Sequence, residues 1–365
     1  MRQRRLIFML VLLPSVILPL YGYLGWRLGE GILGWILMAI PFLCVLLFPV
    51  LVMRRSSGRS GPIETFLSRL AYVNMGFVSF LLVAFLARDI LGLVAGRWVS
   101  PFLALATAAL MLAGGVYAGA RGPYIRRVTI PFPSLPPGLK GLRIVQLSDL
   151  HLGTSINLRY VERAVQKVRE LAPDLIVFTG DIGDGHVTDL RLELEALRGL
   201  NAPIFFATGN HEVYWNFEEW MGAFRELGMK VLLNEGIRTR IKGEDLFIGA
   251  VTDPACEMLG LAPDLARAAQ GGEGAAFRVL LSHRPDPADA AAAAGFDLQL
   301  SGHTHGGQFV PWTIVASLVH KYSLGLYRIG KMFVYVSAGT GSWGPRIRLG
   351  TTAEVTLLEL ASEEN

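Results

Sequence analysis

Four long apolar runs in the first 120 residues restrict this part of the chain to one kind of structure. The runs are Leu6–Leu24, Ile32–Met53, Leu70–Leu86 and Trp98–Ala118. Each approaches the ~20 residues that an α-helix needs to cross the hydrocarbon core of a bilayer. Because a backbone inside lipid must satisfy its own hydrogen bonds, such runs are expected to be helical. The sequence therefore predicts a transmembrane bundle of about four helices over residues 1–120.

Arginines are distributed unevenly around these runs. They precede the first run, follow the second and follow the fourth: Arg2, Arg4, Arg5, Arg54, Arg55, Arg59, Arg121, Arg126 and Arg127. Since positively charged loops stay in the cytoplasm, the N-terminus and the C-terminal part are both predicted to be cytoplasmic. A helix count that differed by one would reverse this orientation. A cleaved signal peptide is the alternative for the first run, but no small-x-small cleavage site follows it.

The basic excess of the chain belongs to its N-terminal part. Of 34 Lys and Arg residues, 11 precede residue 122, whereas only 3 of 30 Asp and Glu residues do. The remainder has 34 − 11 = 23 basic and 30 − 3 = 27 acidic residues, a net charge of −4. A nucleic-acid-binding domain would carry a positive surface instead, so no nucleic-acid partner is expected.

A proline-rich segment separates the apolar part from the rest. Pro131, Pro133, Pro136 and Pro137 lie close together in it. Proline at this density favours extended chain over helix. We therefore predict a linker at residues 121–140 and a catalytic domain at 141–365.

Short apolar runs alternate with amphipathic stretches beyond the linker. Strands are predicted at Arg143–Leu147, Asp174–Phe178, Ile204–Ala207, Lys230–Leu233, Ile237–Ile241, Leu246–Ala250, Phe277–Leu281, Asp297–Leu300, Met332–Ser337 and Ala353–Leu358, and helices at Leu158–Leu171, Leu190–Leu200 and Phe217–Leu227. This alternation predicts a layered α/β architecture.

Five of these strands lead into short polar motifs. The motifs are Asp149-Leu150-His151, Gly180-Asp181, Gly209-Asn210-His211, Ser282-His283 and Gly302-His303-Thr304-His305. In open α/β sheets, ligands gather at the carboxyl ends of strands, where all five motifs lie. Carboxylate, amide and imidazole ligands suit Mn, Fe or Zn. Chemistry at a two-metal site of this composition is usually phosphate ester hydrolysis.

The five motifs in this order resemble the calcineurin-like metallophosphoesterase superfamily, over roughly residues 140–360. Three later stretches are similar to its bacterial membrane branch, which includes phosphodiesterases and UDP-diacylglucosamine pyrophosphatases: Gly302–Gln308, Gly325–Tyr327 and Tyr335–Gly339. The resemblance implies a four-layer αββα sandwich behind the transmembrane bundle.

The resemblance also implies a role for each motif residue. One metal would take Asp149, His151 and His305, the second would take Asn210, His283 and His303, and Asp181 would bridge them. Two divalent ions are implied, with Mn preferred and Fe or Zn as alternatives. His211 would protonate the leaving oxygen or stabilise the transition state, and Asp184 would hold the tautomer of the His211 ring, with Glu212 as a second candidate for that task.

Other polar and aromatic residues are expected to be structural. His186 and His320 match no motif. Arg284, Arg346 and Arg348 are expected to form surface ion pairs, with a phosphate clamp as the alternative. Trp343 and Tyr327 are expected to pack in the core, with a lipid or sugar pocket as the alternative.

The sequence thus predicts a membrane-anchored, metal-dependent phosphoesterase. The resemblance implies a phosphodiester or pyrophosphate substrate in preference to a monoester, and the anchor suggests that this substrate is lipid-linked. The alternative is a membrane scaffold or sensor with a phosphoesterase-like regulatory domain. A degenerate ligand set would favour that alternative, and the set here is complete.

Overall fold

The computed structural model describes residues 13–29, 32–56, 61–96, 98–153 and 155–363. The chain divides into two compact units, Met1–Val116 and Tyr117–Asn365. The N-terminal part contains helices α1 (Leu13–Leu28), α2 (Ile32–Ser56), α3 (Pro62–Ala95) and α4 (Pro101–Arg121), the last of which continues into the second unit.

Two of these helices, α3 and α4, are long and apolar enough to cross a membrane by length and composition. With 34 residues, α3 is about 50 Å long, which exceeds the ~30 Å hydrocarbon core. The predicted run Leu6–Leu24 lies partly outside the described residues. The expectation of four spanning helices is therefore confirmed only as helical structure with two candidate spans.

An ionic cluster joins α1 to α3 within the first unit. Asp89 accepts hydrogen bonds from the Tyr23 hydroxyl and the Arg27 Nε, each at 2.7 Å. The Nη1 atom of Arg88 lies 3.2 Å from Oδ1 of the same carboxylate. A carboxylate on an apolar helix needs such partners, because an unpaired charge is costly away from water.

The second unit contains the strands and the remaining helices. Its strands are β1 (Tyr124–Phe132), β2 (Arg143–Leu147), β3 (Leu152–Gly153), β4 (Leu175–Thr179), β5 (Gly183–Asp184), β6 (Ile204–Ala207), β7 (Lys230–Leu232), β8 (Glu235–Ile241), β9 (Glu244–Ala250), β10 (Phe277–Leu281), β11 (Leu298–Ser301), β12 (Gly325–Ile329), β13 (Met332–Val336) and β14 (Glu354–Ser362). Its helices are α5 (Leu158–Leu171), α6 (Arg191–Ala196), α7 (Asn210–Tyr214), α8 (Phe217–Glu226), α9 (Leu265–Ala269), α10 (Ala288–Ala293) and α11 (Trp312–Val319).

Two six-stranded sheets form the frame of this unit. The first has the order β1-β14-β2-β4-β6-β7, and the second has the order β12-β13-β11-β10-β9-β8. Strands β2, β4, β6 and β7 are mutually parallel, and so are β9, β10, β11 and β13. The motifs after β2, β4 and β6 lie at one edge of the first sheet, and those after β10 and β11 lie at one edge of the second.

Apolar side chains cover both faces of each sheet. One cluster joins the sheets face to face and includes Ile144 and Val177 from the first and Val279 and Leu300 from the second. The outer face of the first sheet packs against α5, α6 and α8, and that of the second sheet packs against α9 and α10. The predicted α/β layering is confirmed, with helices outside two packed sheets.

The proline-rich segment contains a strand. Residues 124–132 form β1, which pairs in parallel with β14 from Tyr124 opposite Glu354 to Phe132 opposite Ser362. Pro131 is tolerated there because β1 is an edge strand, where a missing N–H group breaks no ladder. The extended conformation predicted for residues 121–140 therefore occurs as part of the first sheet as well as connecting chain.

Candidate metal centre

All seven predicted ligands lie in loops at the carboxyl ends of strands. Asp149 and His151 follow β2, and Asp181 follows β4. Asn210 follows β6 as the first residue of α7, His283 follows β10, and His303 and His305 follow β11. The structure brings six of these side chains together, and Asn210 directly follows Gly209, which packs against Asp181.

Five of the seven residues have a left-handed backbone. Their φ angles are 52° for Asp149, 49° for His151, 55° for Asp181, 70° for His303 and 51° for His305. Such conformations cost of order 1–3 kcal/mol each and persist only where surrounding contacts enforce them. Strain concentrated in this way is typical of a functional site, where side chains must point in directions that relaxed loops do not allow.

Two glycines allow the loops to approach each other. A Cβ atom at Gly209 would lie 2.1 Å from Asp181 Oδ1, and one at Gly302 would lie 1.9 Å from Ser148 Oγ. Any side chain at either position would displace a predicted ligand or its neighbour. These glycines therefore serve close packing at the site.

The side chains of the predicted ligands form two groups, and a third group of possible ligand atoms joins His151 to Asp184 and His211. The first contains Asp149, His151 and His305, with the two imidazole Nε2 atoms 3.1 Å apart and His305 Nε2 3.4 Å from Asp149 Oδ1. The second contains Asp181, His283 and His303. Asp181 Oδ2 lies 3.2 Å from His283 Nε2, and that nitrogen lies 3.1 Å from His303 Nδ1.

Asp181 belongs to the second group and also faces the first. Its Oδ2 atom is 3.2 Å from His283 Nε2 and 3.9 Å from His151 Nε2. Asn210 fits the same arrangement, because its Oδ1 atom is buried and has no hydrogen-bond partner among the described residues. A buried amide oxygen without a donor is unfavourable unless a cation faces it. The donor set thus fits two divalent cations.

Hydrogen bonds orient two of the predicted ligands. His283 Nδ1 lies 2.8 Å from the Thr179 carbonyl oxygen, so it carries the proton and leaves the Nε2 lone pair for a cation. Asp149 accepts from the Ser148 hydroxyl at 2.5 Å and from the His303 backbone N–H at 3.1 Å. Both ligands are therefore held in place before any ion binds.

Electrostatics separate the histidines into two kinds. Burial lowers the pKa of His151 to about 3 and that of His303 to about 2, and it lowers the pKa of His305 well below the usual value. These rings are therefore neutral, which is the form that binds metals. Burial also opposes charging of His283, but the Asp181 carboxylate outweighs it and raises the pKa to about 10. A divalent ion on Nε2 would displace that proton.

His211 lies at the rim of the centre, with Asp184 beside it. Its Nδ1 atom is 3.1 Å from Asp184 Oδ1, which also accepts from Trp215 Nε1 at 2.8 Å. Its Nε2 atom is 3.9 Å from Asp181 Oδ2. Burial alone would lower the pKa of His211, but the charges of Asp181 and Asp184 raise it to about 9. The ring can therefore carry a proton towards the site.

Glu212 has a different task from the one expected of it. Its buried carboxylate accepts backbone hydrogen bonds from Asp181 at 3.1 Å, Ile182 at 2.7 Å, Gly183 at 3.4 Å and Gly209 at 2.8 Å. The expectation that it could orient His211 is wrong, because these bonds occupy both oxygens. Glu212 instead ties the loop after β4 to the loop after β6.

Arg346 and Arg348 also depart from expectation. Arg348 is buried, and its guanidinium donates to the carbonyl oxygens of Ala338 at 2.7 Å and Gly341 at 2.6 Å. Arg346 donates to the Gly119 carbonyl at 3.1 Å. Both bind main-chain oxygens, so neither is in a surface ion pair. Because every residue has a main-chain carbonyl group, the sequence gives no sign of which carbonyl oxygens these arginines bind.

The remaining polar and aromatic residues divide between expected and unexpected positions. Arg284 forms the expected ion pair, with Asp253 at 2.9 Å. The Tyr327 hydroxyl accepts from the Ser323 backbone N–H at 3.1 Å. Trp343 is exposed, so its expected role in the core is wrong. The His320 ring lies 6.3 Å from that of His303, which brings it to the edge of the centre.

Comparisons with known proteins agree with this arrangement. The family described as calcineurin-like phosphoesterase matches residues 142–307. The uncharacterized metallophosphoesterase YkuE of Bacillus subtilis is 33% identical over 72% of this chain and 95% of its own length. An uncharacterized metallophosphoesterase of Aquifex aeolicus is 31% identical over 69% of this chain and 97% of its own length. The chain belongs to the calcineurin-like metallophosphoesterase family.

The name of one longer relative describes it as a transmembrane protein. The Danio rerio "transmembrane protein with metallophosphoesterase domain" is 35% identical to this metallophosphoesterase over 277 residues, or 73% of the chain. The chain spans 63% of that relative's length. The predicted family is thus confirmed, and the ligand roles inferred from its motifs stay a prediction.

Proposed function

We propose that this protein is a membrane-attached phosphoesterase that uses two divalent cations to hydrolyse a phosphodiester or pyrophosphate bond of a lipid-linked substrate. The observation that carries the proposal is the convergence of two ligand groups on Asp181. Asp149, His151 and His305 would hold one cation, Asn210, His283 and His303 the other, with Asp181 shared. Mn is preferred for this oxygen and nitrogen donor set, with Fe or Zn as alternatives.

The chain's own residues would divide the remaining work. When bound, the cation pair would supply an acidified water as nucleophile and would neutralise charge developing on the phosphate. His211 would donate a proton from Nε2 to the leaving oxygen, and Asp184 would hold the proton on its Nδ1. Glu212 would keep the Asp181 and Asn210 loops at a fixed separation.

Membrane attachment is supported by α3 and α4, which are long and apolar enough to cross a bilayer, and by the name of the Danio rerio relative. The arginine pattern around the apolar runs favours a multi-pass anchor with the catalytic domain in the cytoplasm. A reporter fused after Asn365 tests the orientation. Activity of a periplasmic reporter type would contradict it and move the substrate to envelope lipids outside the inner membrane.

A substrate panel on detergent-purified full-length protein tests the activity. With Mn added, we expect hydrolysis of bis-p-nitrophenyl phosphate and UDP-diacylglucosamine to exceed that of p-nitrophenyl phosphate. Asp149→Asn should abolish hydrolysis, whereas Asp189→Asn, at an exposed position, should not change it. If the Asp149 and Asp189 variants retain equal activity, the metal centre is not the source of hydrolysis. Preference for the monoester would overturn the substrate class.

A further inference from the structure

Helix α11 carries an unusually exposed apolar surface. No residue of its eight is buried. The exposed fractions are 49% for Trp312, 59% for Ile314, 42% for Val315, 81% for Leu318 and 70% for Val319. These five residues are called the apolar face below. Exposed apolar clusters of this kind mark interaction surfaces, because water disfavours them.

The apolar face is attached directly to the metal centre. Helix α11 follows the loop that carries His303 and His305, and the two pack closely: a Cβ atom at Gly307 would lie 2.1 Å from the Trp312 carbonyl oxygen. At its other end, His320 places its ring 6.3 Å from that of His303. Whatever binds the apolar face therefore lies next to the predicted ligands.

Further exposed apolar residues flank the same loop. Trp343 is 50% exposed, and its backbone exchanges two hydrogen bonds with the Gln308 side chain, at 3.1 and 3.2 Å. Leu324 is 38% exposed and would contact a Cβ atom at Gly306. Lys321 lies just beyond the helix, exposed and paired with Asp289. Tryptophans and a basic residue around an apolar helix are typical of a surface that lies in a membrane interface.

A lipid bilayer is the partner that best fits this surface. Only Gly122 and Pro123 separate the end of α4, a candidate membrane span, from the first strand of the catalytic unit. A tether this short holds the unit at a bilayer surface, so the effective concentration of lipid around it is high. The face is a short helix without charged residues, which suits shallow insertion among lipid head groups.

We propose that the apolar face inserts into the headgroup–acyl boundary of the bilayer and holds the mouth of the metal centre against the lipid surface. This docking rests on the proposed membrane attachment and does not depend on the identity of the substrate. With the apolar face docked in this way, only the head group of a lipid-linked substrate has to leave the bilayer to reach the metal centre.

Fluorescence on the full-length protein in nanodiscs tests the docking without any catalytic readout. Leu318→Cys is labelled with an environment-sensitive fluorophore in a background where Cys44 and Cys256 are replaced by alanine. Leu192→Cys, at a position 69% exposed on α6, is the matched control. The discs contain phosphatidylcholine and phosphatidylglycerol, with or without nitroxide-labelled lipid, and hold one protein chain each.

We expect the label at position 318 to be quenched by nitroxide lipid and protected from iodide, and the label at position 192 to behave in the opposite way. Equal iodide quenching at both positions would overturn the proposal. Protection that appears only in discs holding two chains would assign the face to a second copy instead, and would overturn it as well.

A kinetic test separates docking from catalysis. The double variant Leu318→Glu, Val319→Glu should lose roughly tenfold or more of its rate on a lipid-linked pyrophosphate in nanodiscs, because interfacial binding scales with buried apolar area. Its rate on soluble bis-p-nitrophenyl phosphate should be unchanged, as should both rates of Leu192→Glu. Equal loss on both substrates would contradict docking. Absence of all hydrolysis in the wild type would contradict the proposed function and leave the fluorescence result to decide the docking.

Discussion

Replacing Glu212 with glutamine tests how the loop after β4 and the loop after β6 are held together. The carboxylate accepts four backbone N–H groups, with Asp181 and Gly209 on one oxygen and Ile182 and Gly183 on the other. An amide can keep only one of these oxygens. The NH₂ group that replaces the other oxygen would face backbone donors, so at least one strong bond, at 2.7 or 2.8 Å, is lost.

The size of the effect follows from burial. A buried donor left without an acceptor costs about 1–3 kcal/mol, and the remaining bonds weaken because their acceptor loses its charge. We therefore expect Glu212→Gln to lower the free energy of unfolding by about 2–4 kcal/mol. For a domain of this size, that corresponds to a fall in Tm of roughly 4–15 °C.

Thermal unfolding of the purified protein at pH 8 measures this effect. Burial and the charge of Asp181 raise the pKa of Glu212 to about 7, so the carboxylate is ionised at that pH. Glu218→Gln, at an exposed position of α8, is the matched control and should leave Tm unchanged. Metal content should also fall in the Glu212 variant, since Asp181 is no longer held. If the two variants have the same Tm and both contain a full complement of metal, the Glu212 carboxylate does not join the loops.

Three further outcomes are expected at the metal centre. His211→Ala should keep its metal yet lose ~10²–10⁴-fold in rate, with partial recovery on substrates whose leaving group has a low pKa; equal loss on good and poor leaving groups would exclude proton donation. Asp184→Asn should move the alkaline limb of the pH–rate profile to lower pH, because this carboxylate helps to raise the pKa of His211, and an unmoved limb would contradict that role. Asp181→Asn should lose metal from both positions by elemental analysis, whereas exposed Asp189→Asn should retain about two ions per chain; full occupancy of the Asp181 variant would refute a shared ligand.

Strand-end motifs could be predicted from sequence because their geometry depends on local patterns. An apolar run such as Leu175–Thr179 predicts a buried strand, and a polar residue directly after it must lie at the strand's carboxyl end. Parallel strands align these ends, so Asp149 and Asp181 could be expected to meet. Their order along the chain was enough to indicate the family and the metal ligands.

Elements without a distinctive local pattern could not be predicted in the same way. No element was predicted between residues 301 and 331, because the run from Trp312 to Val319 is mostly apolar and only eight residues long, which does not distinguish a helix from a strand. Proline in Tyr124–Phe132 indicated a linker, and only the pairing with β14 makes this segment a strand.

The sequence by itself determined the donor groups of the candidate metal centre, since the donor types, their order and their places after strands are local properties of the chain. Only the tertiary structure decided how these donors are aimed and held. The left-handed backbone of Asp181 and three of the four hydrogen bonds to Glu212 depend on contacts about thirty residues apart in the chain. The burial of Arg348 depends on carbonyl groups from separate loops. These features arise because folding brings distant backbone groups within hydrogen-bond distance, which no local pattern encodes.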